Sequence, residues 1–339
     1  MKVAIIGATG AVGREMTEEL ADSSLPEKAP QPGLFASPRS EGQSVSFRGK
    51  NLRVKAFSTE ALKGYDYILM SAGGDFSRQH SKTLAEQGSV VIDNSSAFRM
   101  EEGIPLVVPE VNGEILKGMS QGIIANPNCS SIQMLVSLLP LHKLAGLETV
   151  LVSTYQSVSG SGQKGIGELS GQLQAKMRFE SSEPRVYDQP IAFNVLPHIG
   201  PYSEGEPCEE ELKMIRETQK ILNLPGLEVM ATTARVPVYH CHSEAIVVRL
   251  RKKVSLSEVQ DAFEEMKGLN YERGTAPSAL PSPHHCTGKR EVYVCRPRLL
   301  WGETRSNWLQ FWNVADNLKK GAATNAVQIL ELLLKQSRS

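Results

Sequence analysis

The stretch VAIIGATGAVGREM (residues 3–16) joins an apolar run, a glycine-rich turn and an amphipathic segment. The run VAIIG (3–7) is typical of a buried strand. Apolar residues then recur at a spacing of four, which marks one stripe of a helix: Val12, Met16 and Leu20. Glycines let a turn tighten and let N–H groups at a helix N-terminus approach a pyrophosphate. The stretch therefore predicts a strand, a phosphate-binding turn and a helix.

The turn and the end of the second predicted strand together indicate a nicotinamide cofactor. We assign the turn residues to cofactor binding: Gly7, Thr9, Gly10, Ala11, Val12 and Gly13. An NAD site usually has Asp or Glu after the second strand to bind the ribose 2′-OH. Here the strand LFAS (34–37) runs into Pro38-Arg39-Ser40 without an acid. Arg39 with Ser37 and Ser40 can hold a 2′-phosphate, which predicts NADP, although Arg39 as a solvated loop charge stays an alternative.

The rest of the first third of the chain contains further strand-like runs. Apolar strand-like runs occur at 34–37, 65–72, 89–96 and 122–126. A helical stretch, Ser77 to Gln87, and an irregular piece, 113–118, connect some of them. Strands and helices that alternate at this spacing are typical of βαβ units around a parallel sheet. We therefore predict a Rossmann-like dinucleotide-binding domain over residues 1–128.

After residue 129 the pattern changes to longer strands with fewer helices. Strand-like runs occur at 148–156, 228–238, 242–250, 290–296 and 307–314. Helices are predicted at about 164–177, 209–222 and 255–267, the last with the capping box Ser255-Leu256-Ser257-Glu258. Ser181 to Pro207 is predicted to be a long loop. This pattern predicts an α+β domain with a mostly antiparallel sheet over 129–314, and a C-terminal helix at about 315–339 that completes the first domain.

Composition excludes several classes of protein. The chain has 339 residues, which suggests two domains. Its 37 basic residues balance its 37 acidic residues, so no net field favours nucleic acid or an anionic membrane as a partner. No run approaches the roughly 18 apolar residues that span a bilayer. The five cysteines show no CxxC pair, so we expect neither a disulfide framework nor a metal site. We expect a cytoplasmic protein with reduced thiols.

The segment NPNCSSIQ (126–133) places Cys129 between the apolar run GIIA and a predicted helix that lasts until Pro140. A helix N-terminus favours a thiolate and lowers the pKa of its thiol. In an open α/β sheet this is also the carboxyl end of a strand, where ligands bind. A nucleophile there, together with a nicotinamide, indicates acyl-enzyme redox chemistry. The alternative is a small buried residue at a helix start.

Several motifs together resemble the aspartate-β-semialdehyde dehydrogenase family. They are the Gly7–Gly13 turn, Asn128-Cys129, STYQSVSGSG (153–162), ARVPVYHCHSE (234–244) and VADNLKKGAA (314–323). The resemblance covers essentially the whole chain. It implies a reversible, NADPH-dependent reduction of L-aspartyl 4-phosphate to the semialdehyde with release of phosphate. It also implies that the sheet of the second domain forms a homodimer interface, in a dimer or a dimer of dimers.

The resemblance implies a role for each matching residue. Cys129 matches the nucleophile, Gln156 the residue that orients the substrate, and His242 the acid–base histidine. The implied substrate-binding residues are Arg99, Asn128, Glu210, Lys213 and Arg235. Of these, Arg235 would hold the substrate carboxylate, Glu210 the amino group, and Lys213 and Arg99 the phosphate. The cofactor-binding set also includes Gly73, Ser159, Gly160 and Asn317.

The residues by themselves leave alternatives open. Glu210 and Lys213 also fit an ordinary i,i+3 surface pair. Arg99 can be a solvated loop charge and Gln156 a solvent-facing strand residue. His240 competes with His242. Moreover, Arg235 and His242 are seven residues apart, so a regular strand would point them to opposite faces unless a break at Pro237 realigns them.

Related chemistry defines the rival functions. Reduction of N-acetyl-glutamyl phosphate or of malonyl-CoA would use the same kind of thioester. A non-catalytic cofactor-binding homologue is the alternative from another class, and the intact set Cys129, Gln156, Arg235 and His242 argues against it. The segment Val294-Cys295-Arg296-Pro297-Arg298 departs from the glycine-led strand that the family pattern suggests. We therefore expect irregular strand pairing there.

Overall fold

The computed structural model describes residues 1–24, 31–300 and 303–336. The chain divides into two compact units. The first unit comprises Met1–Asn128 and Ala322–Ser339, and the second comprises Cys129–Gly321. The second unit therefore begins at the cysteine of the NPNC segment.

Strands and helices alternate in the first unit and give way to longer strands in the second. The strands are β1 (Val3–Ile6), β2 (Gly33–Ala36), β3 (Ser44–Phe47), β4 (Lys50–Arg53), β5 (Lys55–Ala56), β6 (Tyr67–Met70), β7 (Val90–Asp93), β8 (Gly122–Ala125), β9 (Leu147–Gln156), β10 (Glu228–Arg235), β11 (His242–Ser255), β12 (Leu269–Glu272), β13 (Val292–Leu299) and β14 (Arg305–Ala315). The helices are α1 (Ala11–Ala21), α2 (Gly74–Glu86), α3 (Pro109–Asn112), α4 (Cys129–Ala145), α5 (Gly162–Met177), α6 (Glu209–Ile221), α7 (Leu256–Glu265), α8 (Pro283–Cys286) and α9 (Thr324–Gln336).

The first unit is built on a parallel sheet with strand order β5-β2-β1-β6-β7-β8. Alternate residues of β1 face opposite sides. Ile5 packs in the core that α1 and α9 cover, and Ile6 packs with Leu84 of α2 on the other face. Burial on both faces explains the near-continuous apolar strand runs. Because β1 lies between β2 and β6, its carboxyl end is the switch point where ligands bind in open α/β sheets.

The second unit is built on a mixed sheet with strand order β10-β9-β11-β14-β13-β12. The pairs β9–β10 and β12–β13 are parallel, and the three pairs between them are antiparallel. One face packs against α4, α6 and α7, with Met134, Met214 and Phe263 in the shared core. On the other face Tyr155 and Met230 are exposed. The two sheets confirm the predicted fold class, a Rossmann-like parallel sheet plus a mostly antiparallel α+β sheet.

The C-terminal segment differs from the predicted helix at about 315–339. The strand β14 continues to Ala315, residues 316–321 belong to the second unit, and α9 begins only at Thr324. A π-helical stretch, Lys319–Ala323, precedes it. The side chain of Asp316 ends the strand because its Oδ1 accepts the N–H of Leu318 at 2.9 Å. Residues 337–339 lie outside the described residues.

Two other local expectations have clear outcomes. The helix α4 passes through Pro140 to Ala145 instead of ending there, because Leu141 and Ala145 are buried in the core and outweigh one lost hydrogen bond. The β13–β14 pairing shifts register between Cys295 and Arg298, which confirms the expected irregularity. Pro297 has no N–H to donate to the ladder.

Short strands were missed by the sequence prediction, and the long loop was not. The missed strands are the hairpin β3–β4, the two-residue strand β5 and the edge strand β12. They are short, and only β3 (SVSF) alternates polar and buried apolar residues. Residues 181–207 hold no helix or strand, as predicted. Gln172 on α5 anchors this loop, since its Oε1 accepts the N–H groups of Ile191 and Ala192 at 2.8 and 2.9 Å. Within the described ranges, no helix combines the length and the apolar character that a membrane crossing needs.

Candidate active site

The glycine turn of the first unit acts through its backbone and leaves no room for side chains at two positions. Gly7 has φ +78°, and a Cβ on it would lie 2.1 Å from the carbonyl oxygen of Ser71. A Cβ on Gly13 would lie 2.1 Å from the carbonyl oxygen of Gly7. Both positions therefore require glycine. The helix α1 begins directly after Gly10 and has no acidic residue in its first turn, so its N-terminal N–H groups suit an anion.

The loop after β2 is tied to this turn. Thr9 Oγ1 donates to Ser40 Oγ at 3.2 Å, and Ser37 and Arg39 are exposed on the same loop. Gly73 lies just before α2, where an added Cβ would meet nothing within 4 Å. The predicted cofactor residues of the first unit thus gather at the carboxyl ends of β1, β2 and β6. A glycine cradle, an unblocked helix N-terminus and an exposed arginine fit a dinucleotide with a 2′-phosphate.

The Asn-Pro-Asn segment before Cys129 is held rigidly within the first unit. Arg99 is buried, its Nε donates to the carbonyl of Asn126 at 2.9 Å, and its Nη2 donates to the carbonyl of Asn94 at 3.1 Å. Asn325 on α9 donates to Asn126 Oδ1 at 2.7 Å. Arg99 is therefore not a solvated loop charge. Asn128, also buried, continues the same segment.

Cys129 is the first residue of α4, as its position in the sequence predicted, and its side chain is half-buried. The nearest glycine of the second unit lies against it. A Cβ on Gly321, inside the π-helical stretch, would lie 2.7 Å from Cys129 Cβ and 3.6 Å from Asn317 Cβ. Gly321 therefore leaves room for the thiol and brings Asn317 into its neighbourhood. The sequence prediction had assigned Gly321 no role.

Three of the predicted residues lie at strand termini, at one end of the second sheet. Gln156 ends β9 and pairs in register with Arg235, which ends the parallel strand β10. His242 begins the antiparallel strand β11, and its neighbour Ser243 pairs with Tyr155. Gln156, Arg235 and His242 are all buried, so Gln156 is not a solvent-facing residue.

Arg235 and His242 converge although they are seven residues apart. They belong to two strands, because the chain breaks between them and Cys241 takes φ +69°. A Cβ on Gly160 would lie 2.8 Å from Arg235 Nη1 and 3.5 Å from His242 Nε2. The two side chains therefore meet beside Gly160. The alternation of faces along a regular strand does not separate them, because they do not share a strand. His240, the competing histidine, is only half-buried.

Glu210, on α6, contacts the residues at this end of the sheet. Gln156 Nε2 donates to Glu210 Oε1 at 3.2 Å, and Lys213 Nζ lies 3.6 Å from Glu210 Oε2. Lys213 also pairs with Glu209 at 2.7 Å. Glu210 is only 6% exposed, so the pair is more than a surface ion pair. The arrangement provides a buried carboxylate between an amide and an ammonium group.

His242 is the most perturbed of these groups. Burial, followed by the nearby Arg235 guanidinium, lowers the pKa of His242 to about 3. An ordinary histidine has a pKa near 6.5, so this ring is far less basic than a free one. Its Nδ1 accepts the N–H of Ser157 at 3.1 Å and lies 3.1 Å from Ser157 Oγ. In the part of the chain that the structure describes, Nε2 has no hydrogen-bond partner.

The remaining members of the predicted cofactor set contact one another. Ser159 Oγ and Ser157 Oγ donate to Asn317 Oδ1 at 3.0 and 3.1 Å. Gln133, one turn along α4 from Cys129, donates to the carbonyl of His242 at 3.3 Å. Ser157 and Gln133 were missed by the sequence prediction. Their only signal was their place inside the STYQSVSGSG and NPNCSSIQ motifs.

A cavity of about 560 Å³ opens beside Arg235. The irregular loop supplies most of its wall, including Tyr187, His198 and Tyr202. The irregular loop therefore borders the residue that is predicted to hold the substrate carboxylate.

Comparisons with known proteins give consistent results. The sequence matches the family described as "Semialdehyde dehydrogenase, NAD binding domain" over residues 2–119, and "Semialdehyde dehydrogenase, dimerisation domain" over 138–320. It is 44% identical to an aspartate-semialdehyde dehydrogenase of Aquifex aeolicus, over 99% of this chain and 98% of the relative. It is 44% identical to aspartate-semialdehyde dehydrogenase 2 of Vibrio cholerae, over 98% and 97%. A crystal structure of aspartate semialdehyde dehydrogenase II from Vibrio cholerae, complexed with ASA, superimposes with a TM-score of 0.92 at 43% identity and 98% coverage of both chains.

Proposed function

This chain belongs to the aspartate-semialdehyde dehydrogenase family, and on that premise we propose how its residues divide the reaction. The reaction is the reversible, NADPH-dependent reductive dephosphorylation of L-aspartyl 4-phosphate to L-aspartate 4-semialdehyde. It belongs to the biosynthesis of lysine, threonine and methionine. The observation that carries the assignment of roles is the convergence of Arg235 and His242 beside Gly160, next to the end of β9.

Cys129 is the nucleophile. Its thiolate attacks the acyl carbon, the carbon–phosphate oxygen bond breaks, phosphate leaves, and a thioester remains on Sγ. Donors at Asn128 and at the start of α4 stabilise the oxygen anion of the tetrahedral intermediate. Support comes from the position of Cys129 as the first residue of α4 and from its partial exposure, since the other four cysteines are buried.

The nicotinamide cofactor, when bound, supplies the hydride that reduces the thioester. The glycine turn holds its pyrophosphate at the N-terminus of α1. Arg39, Ser37 and Ser40 hold the 2′-phosphate, which makes NADP the preferred cofactor. Gly73 lies in the same cofactor set at the start of α2.

His242 is the proton carrier. Its ring is neutral at neutral pH because burial and Arg235 hold its pKa at about 3. In the tautomer that carries its hydrogen on Nδ1, the neutral ring can accept the thiol proton of Cys129 at Nε2 and return it when the hemithioacetal collapses to the aldehyde. Support comes from the orientation of the ring, whose Nδ1 is bonded to Ser157 while Nε2 lies beside Gly160.

The substrate has three charged groups, and the chain offers a complement to each. Arg235 holds the carboxylate with its planar fork. Glu210 holds the amino group, and Gln156 orients the reacting acyl group beside it. Lys213 and Arg99 bind the phosphate. The Glu210 carboxylate supports this assignment, because it is buried and accepts the Gln156 amide while it also pairs with Lys213.

The second unit forms a homodimer, alone or within a dimer of dimers, in the cytoplasm. Its open sheet face supports this proposal. Tyr155 is 41% exposed and Met230 60% exposed, and the Tyr155 ring lies 5.6 Å from the Trp312 ring. Exposed aromatic and apolar residues on one sheet face are typical of an interface.

Substrate specificity is tested by NADP reduction with aspartate semialdehyde, with and without phosphate, beside N-acetyl-glutamate semialdehyde. We expect phosphate-dependent turnover with aspartate semialdehyde only. Comparable turnover with the longer substrate would contradict the assignment of Arg235 and Glu210. When coenzyme A replaces phosphate in the assay, formation of an acyl-CoA would point to the malonyl-CoA type of reduction.

The roles of Arg235 and His242 are separated by substitution. Arg235→Lys keeps the charge but loses the bidentate fork, so KM for the semialdehyde should rise. His242→Asn should lower kcat by about 10²–10⁴-fold with little change in KM. His240→Asn is the matched control, two residues away. Loss of turnover in His240→Asn but not in His242→Asn would show that the wrong histidine has been chosen.

A further inference from the structure

We propose that Ser157 and Asn317 form a hydrogen-bonded pair that positions His242 and decides which of its ring nitrogens carries the proton. The proposal rests on the function proposed above for His242 and reassigns Asn317, which the sequence pattern placed with the cofactor. Neither residue needs to touch the substrate for this role. Both act through the Nδ1 side of the ring.

The orientation of the Asn317 amide follows from its partners. Cys241 donates its backbone N–H to Asn317 at 3.1 Å, and a backbone N–H can only donate. The atom that faces it is therefore the carbonyl oxygen Oδ1. The hydroxyl groups of Ser157 and Ser159 lie 3.1 and 3.0 Å from the same oxygen and donate to it. Asn317 is only 3% exposed, so these are its partners in a dry interior.

The bond to Asn317 determines what Ser157 can offer to His242. A serine hydroxyl has one hydrogen and two lone pairs. When its hydrogen points at Asn317 Oδ1, its lone pairs can accept a proton-bearing Nδ1, which lies 3.1 Å away. The backbone N–H of Ser157, also 3.1 Å from Nδ1, donates to Nδ1 when that nitrogen carries no hydrogen. Ser157 therefore offers Nδ1 a donor and an acceptor, and a hydrogen on Nδ1 exchanges the bond to the backbone N–H for the bond to Oγ.

Because each tautomer of His242 has a hydrogen-bond partner at Nδ1, the ring can exchange its proton. If only the backbone N–H faced Nδ1, the ring would keep its hydrogen on Nε2, and Nε2 could not accept a proton from Cys129. The lone pair on Ser157 Oγ stabilises the other tautomer, in which Nε2 is bare. Asn317 fixes the direction of the Ser157 hydroxyl and thereby makes that tautomer available.

Asn317 also holds the backbone that precedes the ring. Cys241 has φ +69°, a left-handed conformation that is costly for a residue with a Cβ. Its N–H is satisfied by Asn317, which follows the end of β14. His242 pairs in register with Ala315 across the two strands. One side chain thus fixes both the ring partner Ser157 and the strand start.

Charged and titratable groups reach the neighbourhood of His242 from several elements. The Arg235 guanidinium comes from the end of β10, Glu244 stands two residues along β11, and Asp316, which acts on Cys241, stands next to Asn317 after β14. Ser157 and Asn317 are neutral. A carboxylate at position 317 would add a negative charge on the Nδ1 side and favour the protonated ring, in opposition to Arg235.

The test compares Asn317→Asp, Asn317→Ala and Ser157→Ala in ¹⁵N-histidine-labelled protein, with His242 assigned from the signal that disappears in His242→Asn. We expect Asn317→Asp to raise the titration of His242 by about 1–3 pH units. We expect Ser157→Ala to remove the Nδ1–H tautomer and to lower kcat by roughly 10–100-fold, the range for groups that orient a functional histidine. Asn270→Asp, an exposed change on β12, is the charge-matched control.

The outcomes distinguish this proposal from the function on which it rests. Unchanged ¹⁵N shifts and titration of His242 in all three variants would overturn it. So would a raised KM for NADP as the only effect of Asn317→Asp, because Asn317 would then be a cofactor ligand. If His242→Asn keeps full turnover, the proton-carrier role fails, while the ring spectra still decide the positioning. Should Asn317→Ala fail to fold, the near-isosteric Asn317→Asp and Ser157→Ala carry the test.

Discussion

The glycine turn of the first unit and the His242 cluster of the second unit differ in the atoms that carry their chemistry. Gly7, Gly10 and Gly13 act through backbone N–H groups and through the absence of side chains. The cluster acts through side chains, which reach one place from β9, β10, β11 and the segment after β14. The turn is built by one short segment, although the Ser71 carbonyl also packs against Gly7, whereas the cluster depends on the register of a whole sheet.

The two regions also differ in their contact with water. Arg39 and Ser37 are exposed, so their electrostatic effects are screened. His242 and Asn317 are buried, and a charge change there is felt strongly. Substitutions in the cluster should therefore have larger effects than substitutions in the cofactor loop.

The largest effect is expected for Cys129→Ser, whose turnover should fall to background while the protein still folds. Serine is a close steric match, but its hydroxyl is a far weaker nucleophile at neutral pH. Turnover and circular dichroism check the two halves of this prediction. Retained wild-type turnover would rule out the covalent mechanism.

Thiol labelling at neutral pH gives an independent check on the same residue. Burial raises the pKa of Cys286 to about 12 and that of Cys295 to about 11, and it raises the pKa of Cys241 further. Cys129 is half-buried at a helix start, so it should react alone. Even labelling of several cysteines, measured by mass spectrometry, would contradict this expectation.

The next largest effect is expected for Gly321→Ala. Its Cβ would lie 2.7 Å from Cys129 Cβ, so the thiol must move. A misplacement of about 1 Å can cost roughly 10²-fold in rate, and kcat should fall by that order. The matched control is Gly167→Ala on α5, where an added Cβ meets nothing within 4 Å. Equal kcat values in the two variants would show that the position of the thiol is less constrained than the contact implies.

A smaller effect is expected in the cofactor loop. Arg39→Ala should reduce the preference for NADP over NAD by about 10- to 150-fold, since a hydrogen bond to a charged group is worth roughly 1.5–3 kcal/mol. The ratio of kcat/KM for the two cofactors measures it. Arg53→Ala, an exposed arginine on β4, is the control. An unchanged ratio would assign the discrimination to another group.

The smallest effect concerns stability and pH. The pKa of His242 is about 3 in the folded chain and near 6.5 when unfolded, so the unfolded state binds the extra proton as pH falls below 6.5. Between pH 7 and 5 the wild type should lose about 2 kcal/mol relative to His242→Asn. Burial raises the pKa of Glu244, but both proteins keep Glu244 and its effect cancels. Denaturant unfolding at pH 7 and pH 5 measures the free energy of unfolding of both proteins. An equal loss of stability in the wild type and in His242→Asn would contradict the buried neutral ring.

The two regions also explain how much of the site could be predicted from the sequence. The glycine turn, the parallel sheet and the position of Cys129 at a helix start all follow from local patterns, and each was predicted. Ser157, Gly321 and the bridging place of Glu210 were not, because their roles arise from contacts across 54 or more residues of sequence. The low pKa of His242 was missed for the same reason, since burial and Arg235 set it together.

The sequence by itself determined the order of strands and helices, the places where glycine is required, and the chemical groups that the reaction needs. Those properties depend on backbone conformation and residue type, which act over a few residues. Only the tertiary structure decided that Arg235 and His242 share a face, because the break at Cys241 puts them on different strands. It alone brought Ser157 and Asn317, 160 residues apart, into one hydrogen-bonded pair. Strand register and burial fix such contacts, and neither is a property of any short segment.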